Sequence, residues 1–193
     1  MTVEPTDRSQ ASVLPKTQAG PCVPAVNIKE VSKRFKNRPV LSQVSLVCES
    51  GASVALIGLN GAGKTTLLRS VLGFVAVDLG RIELFGVDAT RPAARAQVAF
   101  LPERLLLTPE LSGWQSIELL LGIRQCVADR DRCEAELHAM GFPIDQLDAP
   151  ARIYSKGMSQ KIGLVAAIHS EARLLILDGP FTGLDPQARP SLV

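Results

Sequence analysis

A glycine-rich segment at residues 58–66 constrains the fold of this chain more than any other feature. It matches the pattern G-x-x-x-x-G-K-[ST], in which backbone N–H groups wrap the phosphates of a nucleotide. The apolar run 53–57 is typical of a short buried strand, and residues 66–72 predict a helix that ends at Gly73. Strand, loop and helix in this order predict a phosphate-binding α/β unit. The residues expected to contact the nucleotide are Gly58, Asn60, Gly61, Ala62, Gly63, Lys64, Thr65 and Thr66.

The chemistry of this loop favours a nucleotide bound with magnesium. Lys64 can reach the β- and γ-phosphates, and the Thr65 hydroxyl suits a Mg²⁺ ligand. The N-terminus of the following helix directs a partial positive charge at the phosphates. Kinases, small GTPases, helicases and transport motors all have such a loop, so later segments must decide between these classes.

Three later segments narrow the choice. Residues 154–161 read Tyr-Ser-Lys-Gly-Met-Ser-Gln-Lys before an apolar helical stretch, residues 174–178 form an apolar run that ends in an aspartate, and residues 183–185 read Gly-Leu-Asp. In this order and spacing the chain resembles the ATP-binding cassette (ABC) family, from about Val26 to its last residue. The segments are similar to the family's signature motif, Walker B strand and D-loop. The Y-S-K-G-M form of the signature is similar to single-cassette subunits that pair with a separate membrane protein in export systems.

The resemblance implies a fold and a set of partners. The fold is α/β: a P-loop ATPase core with a mostly parallel sheet flanked by helices, an N-terminal antiparallel β part and a helical subdomain. ATP and Mg²⁺ are the implied ligands, with Asp178 joining Thr65 at the metal. Ser155, Gly157 and Asp185 would serve ATP bound on a second cassette, which implies a homodimer or a heterodimer. The implied partner is an integral membrane permease, so the chain would be cytoplasmic and peripheral on the inner face of the cell membrane.

The signature segment also has a direct physical interpretation. Ser155 stands just before a helix, where its hydroxyl can cap free N–H groups. Gly157 leaves room for a phosphate, and Lys156 adds a positive charge. Taken alone, the segment is equally typical of an ordinary capped helix, and its functional interpretation depends on the phosphate loop and Asp185.

Two further positions follow from the resemblance. Phe35 falls where the family places an aromatic ring against adenine, and such stacking tolerates phenylalanine. A core aromatic at the end of a strand is the alternative. Glu103 takes the place of the family's Q-loop glutamine, where a carboxylate can face Mg²⁺ or a water. A solvated loop residue is the competing interpretation. Lys64 and Glu103 are therefore the candidate catalytic residues.

Hydrolysis is where the chain departs from the family. The family has a glutamate directly after the Walker B aspartate, where it polarises the attacking water, and this chain has Gly179. Loss of a positioned general base costs on the order of 10²–10⁴ in rate. The family's switch histidine lies beyond the D-loop, whereas His138 and His169 both lie upstream and are expected to be surface or core residues. We therefore expect ATP binding with slow or absent turnover.

The missing switch histidine belongs to one more core strand. The chain stops at Val193, and by family topology the absent strand would lie between the strands predicted at 53–57 and 174–177. Unpaired backbone groups of those strands would then face a gap, which is costly when they are buried. A natural truncation, a fragment of a longer reading frame and a half completed by a partner are all consistent with this expectation.

Composition outlines the domains. Residues 1–25 contain several prolines among Ser, Thr and Gln and predict a disordered tail, and residues 26–193 predict one cassette domain with a helical subdomain at about 105–160. A net charge of +2 gives no strong attraction to nucleic acid or anionic lipid, so no nucleic-acid partner is expected. No apolar run is long enough to span a bilayer. The four cysteines lack C-x-x-C spacing and are typical of a reduced cytosolic protein.

The helical subdomain has its own local signals. Ser112 begins a capping box that opens a helix, and a second helix is predicted from about 130 to 140, with Gly141 as its stop. By resemblance, this surface and the loop after Glu103 receive a coupling helix of the membrane subunit. Trp114, the only tryptophan, belongs either to that contact or to local core packing.

Functions from three classes fit the sequence. The first is the ATP-binding subunit of a membrane transporter, which couples ATP-driven dimerisation and, in the family, hydrolysis to transport. The second is an ATP-binding regulatory or assembly component that hydrolyses poorly, or a non-functional fragment. The third, a soluble cassette protein acting on ribosomes or DNA, is disfavoured because such chains usually have two cassettes or a long coiled-coil insertion.

Overall fold

The structure of the protein, a computed structural model, describes residues 23–179. Its strands and α-helices, in chain order, are β1 (Val26–Phe35), β2 (Arg38–Cys48), α1 (Lys64–Val71), β3 (Leu79–Leu84), β4 (Val87–Asp88), α2 (Pro92–Arg95), β5 (Val98–Leu101), α3 (Gly113–Gly122), α4 (Arg130–Ala139), α5 (Lys156–Ile168) and β6 (Leu174–Leu177). A four-stranded antiparallel sheet has the order β2-β1-β3-β4, and β5 pairs with β6 in parallel. The expected α/β architecture is therefore confirmed. The predicted D-loop with Asp185 and most of the predicted tail lie outside the described residues.

Three shifts of register decide which side chains of the first hairpin are buried. β1 and β2 pair in an antiparallel register that ends with Phe35 opposite Arg38. One extra residue is inserted near Glu30 in β1, and two are inserted in β2, near Gln43 and at Val40. Glu30 and Gln43 both have φ of 48°. Side chains alternate between the two faces of a strand, so an inserted residue changes the face of those that follow. As a result Val31, rather than the glutamate before it, is fully buried.

Apolar side chains form two separate cores. The sheet core lies between the antiparallel sheet, α1 and α2, and reaches the start of β5 and the middle of β6. The helix core lies among α3, α4, α5 and the end of β5. Fully buried residues of the helix core are Ile117, Leu121, Cys133, Leu137, Leu147, Ile162 and Val165.

The strand predicted at residues 53–57 is not present, and that prediction was wrong. These residues have no regular secondary structure, and Val54, Leu56 and Ile57 are exposed, Ile57 by 93%. A β-strand needs a neighbour that takes up its N–H and C=O groups. Within residues 23–179 no strand pairs with this segment, because the parallel sheet there consists of β5 and β6. The apolar composition alone does not supply a partner.

The parallel pair brings two predicted site residues to one edge. β5 and β6 are in register from Val98 opposite Leu174 to Leu101 opposite Leu177. The N–H of Asp178 donates to the carbonyl of Leu101 at 2.9 Å and extends the pairing by one step. Because both strands run in the same direction, Glu103 after β5 and Asp178 after β6 follow the same end of the pair.

Helix caps in the helical part agree with the sequence. Ser112 accepts a hydrogen bond from the N–H of Gln115, and the Gln115 side chain accepts from the N–H of Ser112, so the predicted capping box is confirmed. The predicted second helix is α4, and it stops at Gly141, whose φ is 69°. Trp114 packs against the helix core and lies under the Arg130 guanidinium, 5.1 Å from the ring centre. These contacts favour the packing role for this tryptophan.

α4 and α5 meet through buried and polar contacts. Burial raises the pKa of the Cys133 thiol to about 11, which makes it an unreactive core residue at neutral pH.

His138 is exposed on α4, whereas His169 at the end of α5 lies 3.1 Å from a carboxylate oxygen of Glu136. Both histidines thus have the surface or packing positions expected. Within residues 23–179, no helix has both the length and the apolar character needed to cross a bilayer.

One arginine joins the helix core to the parallel strands. The Arg124 guanidinium donates to the carbonyls of Ala96 at 3.0 Å, Val98 at 2.9 Å and Ser170 at 3.0 Å. These carbonyls lie at the start of β5 and after α5. Since hydrogen bonds from charged donors are stronger than neutral ones, Arg124 holds β5 in position relative to α5.

Candidate nucleotide-binding site

The phosphate loop turns into α1 at a position where any residue other than glycine is strained. Gly61 and Gly63 have φ of 83° and 89°, a left-handed conformation in which a side chain is strained. Gly63 is the N-cap residue of α1. A Cβ atom on Gly63 would lie 2.8 Å from the carbonyl oxygen of Val40 in β2. The loop is therefore seated directly on the backbone of the first hairpin.

Lys64 places a positive charge inside the loop. Its Nζ donates to the carbonyl oxygens of Gly58 at 2.7 Å and Leu59 at 2.9 Å. An ammonium group has three donors, so one N–H remains for a ligand. The first N–H groups of α1 have no acceptor within the helix, and neither a side-chain cap nor an acidic residue occupies its first turn. Charge and free donors together fit a phosphate group.

Phe35 is exposed rather than buried in the core. It ends β1, the residue is 48% exposed, and Lys33 Nζ lies 5.5 Å from the ring centre. The hairpin that presents Phe35 also presents the Val40 carbonyl to Gly63. The alternative of a core aromatic is therefore wrong, and the ring and the loop are held by one hairpin.

Asp78 anchors the end of that hairpin. Its carboxylate accepts from Lys33 Nζ at 2.8 Å and from the backbone N–H of Arg34 at 2.7 Å. Its own N–H donates to the carbonyl of Ser32. The hydrogen bonds from Lys33 and Arg34 hold the pKa of Asp78 below its usual range. The side chain and the backbone N–H of Asp78 therefore both bind residues 32–34, directly before Phe35.

Residues suited to magnesium are present on two elements. Thr65 is exposed in the first turn of α1, and Asp178 is half-buried just after β6. Mg²⁺ usually takes one or two carboxylates together with phosphate oxygens and waters, rather than a cage made of protein alone. The described residues contain no cluster of three or more His, Cys, Asp or Glu that would form such a cage. One hydroxyl and one carboxylate, together with phosphate oxygens and waters, are a ligand set of this kind.

The signature segment begins α5 as predicted. Ser155 is the N-cap residue, and its hydroxyl accepts from the N–H of Met158 at 3.2 Å. Tyr154 is fixed on its other side, because its hydroxyl donates to the carbonyl of Gln146 at 2.7 Å and accepts from the N–H of Gly113. Gly157 is half-buried and Lys156 exposed in the first turn. The start of α5 is thus both capped and attached to α3.

Glu103 is brought to the signature segment. Its carboxylate is 60% exposed and lies 3.8 Å from Lys156 Nζ. Its backbone carbonyl accepts a hydrogen bond from the Gln160 side chain. The side chain is solvated, as one of the two interpretations of the sequence expects, but it is not isolated. Lys156, its charged neighbour within residues 23–179, belongs to α5.

The predicted site residues thus form two groups. The loop residues and Phe35 are attached to the sheet core, whereas Glu103, Ser155 and Gly157 are attached to the helix core. Gly179, where the family has its glutamate, has φ of 59°. A side chain at this position would be strained, so the backbone itself disfavours a glutamate there.

Two residues near the site were not identified from the sequence. Asp78 stands in a loop, and its partners Lys33 and Arg34 are distant in sequence, so no local pattern reveals the contact. Gln160 is 1% exposed in α5. A single glutamine inside an otherwise apolar helical stretch was the available signal, because buried amides are rare without a partner.

Comparison with known proteins gives a consistent result. The ABC transporter family model matches residues 41–182. The daunorubicin resistance ATP-binding protein DrrA3 of Streptomyces coeruleorubidus is 34% identical over 168 residues, which cover 86% of this chain and 53% of that protein. The sulfate/thiosulfate import ATP-binding protein cysA of Cucumis sativus is 34% identical over 175 residues, which cover 87% of this chain and 50% of that protein.

A solved structure agrees with these relatives. The ATP-binding subunit of an ABC transporter superposes with a TM-score of 0.74 at 32% sequence identity, over 87% of this chain and 71% of that one. The chain spans about half the length of the curated relatives it matches.

The Gly63→Ala variant is expected to be less stable than the control variant Gly51→Ala. The added Cβ would be 2.8 Å from the Val40 carbonyl, whereas a Cβ on Gly51, whose φ of 80° is similar, would have no atom within 4 Å. Both variants share the backbone strain, and only Gly63→Ala adds the overlap, which costs about 1–3 kcal/mol. Urea unfolding of the two variants measures the difference. Equal losses of stability would show that the loop is not seated on β2.

The Asp78→Asn variant is expected to weaken the acid dependence of stability. Because the folded-state pKa of Asp78 is lowered, its contribution is complete above the ordinary carboxyl pKa of about 4 and is lost as the pH falls through the lowered value. The variant should melt earlier than the parent at about pH 6, and the difference should shrink toward about pH 2. Thermal unfolding across this range tests it, with Asp145→Asn as the exposed control. A difference that does not depend on pH contradicts the assignment.

Proposed function

The chain belongs to the ABC transporter family, and from this premise we propose that it is the ATP-binding subunit of a membrane transporter. In this role it binds Mg-ATP at the loop of residues 58–66. The observation that carries the proposal is the seat of that loop. Gly63, with φ of 89°, joins the loop to α1. Lys64 places its ammonium group against the loop carbonyls. Free helix N–H groups and a fixed cation together are a site for a polyphosphate.

Each neighbouring residue has a proposed part in holding the nucleotide. Phe35 stacks on the adenine, and Asp78 keeps its strand end in place. Lys64 and the loop N–H groups bind the phosphates. Thr65 and Asp178 supply oxygen ligands to Mg²⁺, which, when bound, neutralises charge on the phosphate oxygens.

We propose that the site is completed by a second cassette. The signature residues Ser155 and Gly157 are attached to the helix core, whereas the phosphate loop is attached to the sheet core. The exposed, capped start of α5 presents Lys156 to solvent. This arrangement supports a homodimer or heterodimer in which the α5 start and Asp185 of one cassette face ATP on the other.

Slow hydrolysis is part of the proposal. Gly179 has no side chain that could orient water, and Glu103 is paired with Lys156. Lys64 and Asp178 still stabilise bound Mg-ATP. The expected result is ATP-driven dimerisation with turnover reduced on the order of 10²–10⁴ relative to a cassette that has the glutamate.

An integral membrane permease is the proposed partner, at the inner face of the cell membrane. The surface proposed for its coupling helix includes the segment after Glu103 and a groove lined by Arg104, Leu106, Ala151 and Lys156. We favour export because residues 154–158 have the Y-S-K-G-M form. A relative named for import is 34% identical to this chain, so the level of identity does not decide the direction.

A second function is favoured by one observation. Gly179 combines the absent carboxylate with a backbone in which a glutamate would be strained. This combination suits a regulatory or assembly component that binds ATP and dimerises without turnover. Measured hydrolysis separates the two functions, since the regulatory component shows none in a single turnover.

The Lys64→Ala variant is expected to lose ATP affinity. Removal of a charged donor to phosphate costs about 1.5–3 kcal/mol, which corresponds to about 10–150-fold in the dissociation constant. Calorimetric titration of the full chain with Mg-ATP measures it. Lys29→Ala, on an exposed part of β1, is the control and should bind ATP as the parent does. Equal affinity in both variants would refute the site.

The Gly179→Glu variant is expected not to restore hydrolysis. Its backbone φ of 59° costs a glutamate about 1–2 kcal/mol and misdirects its carboxylate. Single-turnover hydrolysis beside ATP affinity measures this for the parent and the variant. A parent that hydrolyses at the rate of an ordinary cassette, or a variant that gains such a rate, contradicts the proposed slow turnover.

A further inference from the structure

Gln160 is a buried polar side chain in the second turn of α5. It is 1% exposed, and burial of an amide without hydrogen bonds is unfavourable. Its Nε2 donates to the carbonyl oxygens of Pro102 at 3.0 Å and Glu103 at 2.9 Å. The amide therefore holds two successive peptide groups of the segment after β5.

The hydrogen bonds of the Gln160 side chain are made by its N–H donors alone. Both neighbouring atoms are carbonyl oxygens, so the nitrogen of the amide must face them. The Oε1 atom of Gln160 is buried and has no hydrogen-bond partner among the described residues. Only half of the amide is satisfied. A carboxylate or an apolar side chain of similar size would leave the two carbonyls without donors.

Close packing accompanies these hydrogen bonds. Gly163 lies one turn after Gln160 on α5, so both are on one face of the helix. A Cβ on Gly163 would overlap the Leu105 side chain and would lie 2.7 Å from Leu101 Cδ1. We call the contact of Gln160 and Gly163 with residues 101–105 the α5–loop contact. The segment after β5 is fitted against α5 at this contact.

The same segment also reaches the first turn of α5. Glu103 lies 3.8 Å from Lys156 Nζ, and Lys156 precedes Gln160 by one turn on the same face. This ion pair is exposed and is therefore weak and screened by salt. The buried amide is the stronger of the two links, and it lies one turn away from Ser155 and Gly157.

We propose that Gln160 is a positioning residue that fixes the start of α5 relative to the Glu103 segment. Through its two donors, residues 102–105 and the first two turns of α5 move as one body. A displacement of the Glu103 segment is then transmitted to Ser155 and Gly157. The nucleotide enters this inference only through the proposed function, whereas the link itself is a property of the free chain.

Hydrogen exchange of the nucleotide-free chain tests the link. The Gln160→Glu variant keeps the side-chain volume and removes the donors, and Gln160→Met removes all polarity. In both variants the amide of Asp178, which donates to the carbonyl of Leu101 at the α5–loop contact, and the amides of 158–161 should exchange at least about 10-fold faster, while those of Cys133 and Leu137 in α4 change by less than about twofold. Gln146→Met is the control, since its half-buried side chain makes no hydrogen bond within the described part of the chain.

Two results would overturn the inference. Exchange of Gln160→Met equal to that of the parent would show that volume alone matters, because methionine has no donor, whereas a protonated glutamate keeps one O–H. Equal acceleration in both segments and in α4 would show a general loss of stability rather than a local link. If neither variant folds, exchange of the parent in low urea decides. The Asp178 and 158–161 amides should then open with one free energy and one urea dependence, and separate values refute the link.

Addition of Mg-ATP separates this inference from the proposed function. The parent should show slower exchange in 103–105 and 155–158 together. Gln160→Met should retain its ATP affinity within about threefold, because the phosphate loop belongs to the other core, but should lose the protection at 155–158. Loss of affinity together with protection contradicts the positioning role. A parent that does not bind ATP refutes the proposed function, and the nucleotide-free exchange then still decides the role of Gln160.

Discussion

The nucleotide site depends on the contact between Gly63 and the carbonyl of Val40. This contact brings the loop backbone within a distance that excludes any side chain, and it has three consequences. α1 starts directly after Gly63, Lys64 donates to the carbonyls of Gly58 and Leu59, and the hairpin that contains Phe35 lies against the phosphate loop at Val40. A left-handed glycine is thus the element that joins an antiparallel sheet to a phosphate-binding helix.

The two cores support different groups of the predicted site residues. The sheet core supports the residues proposed to hold ATP, and the helix core supports the signature residues proposed to face ATP on a second cassette. β5 connects them, because its first residues belong to the sheet core and Leu101 belongs to the helix core. Arg124 fixes the start of β5, and the α5–loop contact fixes the segment beyond its end. Relative movement of the two groups of site residues must therefore pass through β5 and that segment.

Local signals in the sequence were sufficient for helices and caps. The N-terminal caps at Ser112 and Ser155 and the helix end at Gly141 could be predicted, because the residues that bond the free groups of a helix end are its immediate neighbours. Pairing between strands is not local. Residues 53–57 have the composition of a buried strand, yet no described strand pairs with them, and composition cannot reveal that. The bulge near Glu30 likewise depends on β2 and β3 as much as on β1.

The site shows the same division. The loop, the signature segment and Phe35 could be proposed as site residues from motif and resemblance, because their identities are tied to short spacings. Asp78 and Gln160 could not, because each acts on backbone groups 44 to 58 residues away along the chain. A solitary polar residue among apolar ones shows that a partner must exist, but only the folded backbone shows which carbonyls it meets.

The exposed run at residues 54–59 also bears on the life of the protein in a cell. Val54, Leu56, Ile57 and Leu59 are open to solvent, the last by 85%, in a stretch that has no charged residue. Short, uncharged, apolar segments of this kind are where chains begin to aggregate and where chaperones bind. The lifetime of newly made chains would then depend on how quickly another surface covers this run. Protein abundance, and not only catalytic competence, would depend on the packing of five or six residues beside the phosphate loop.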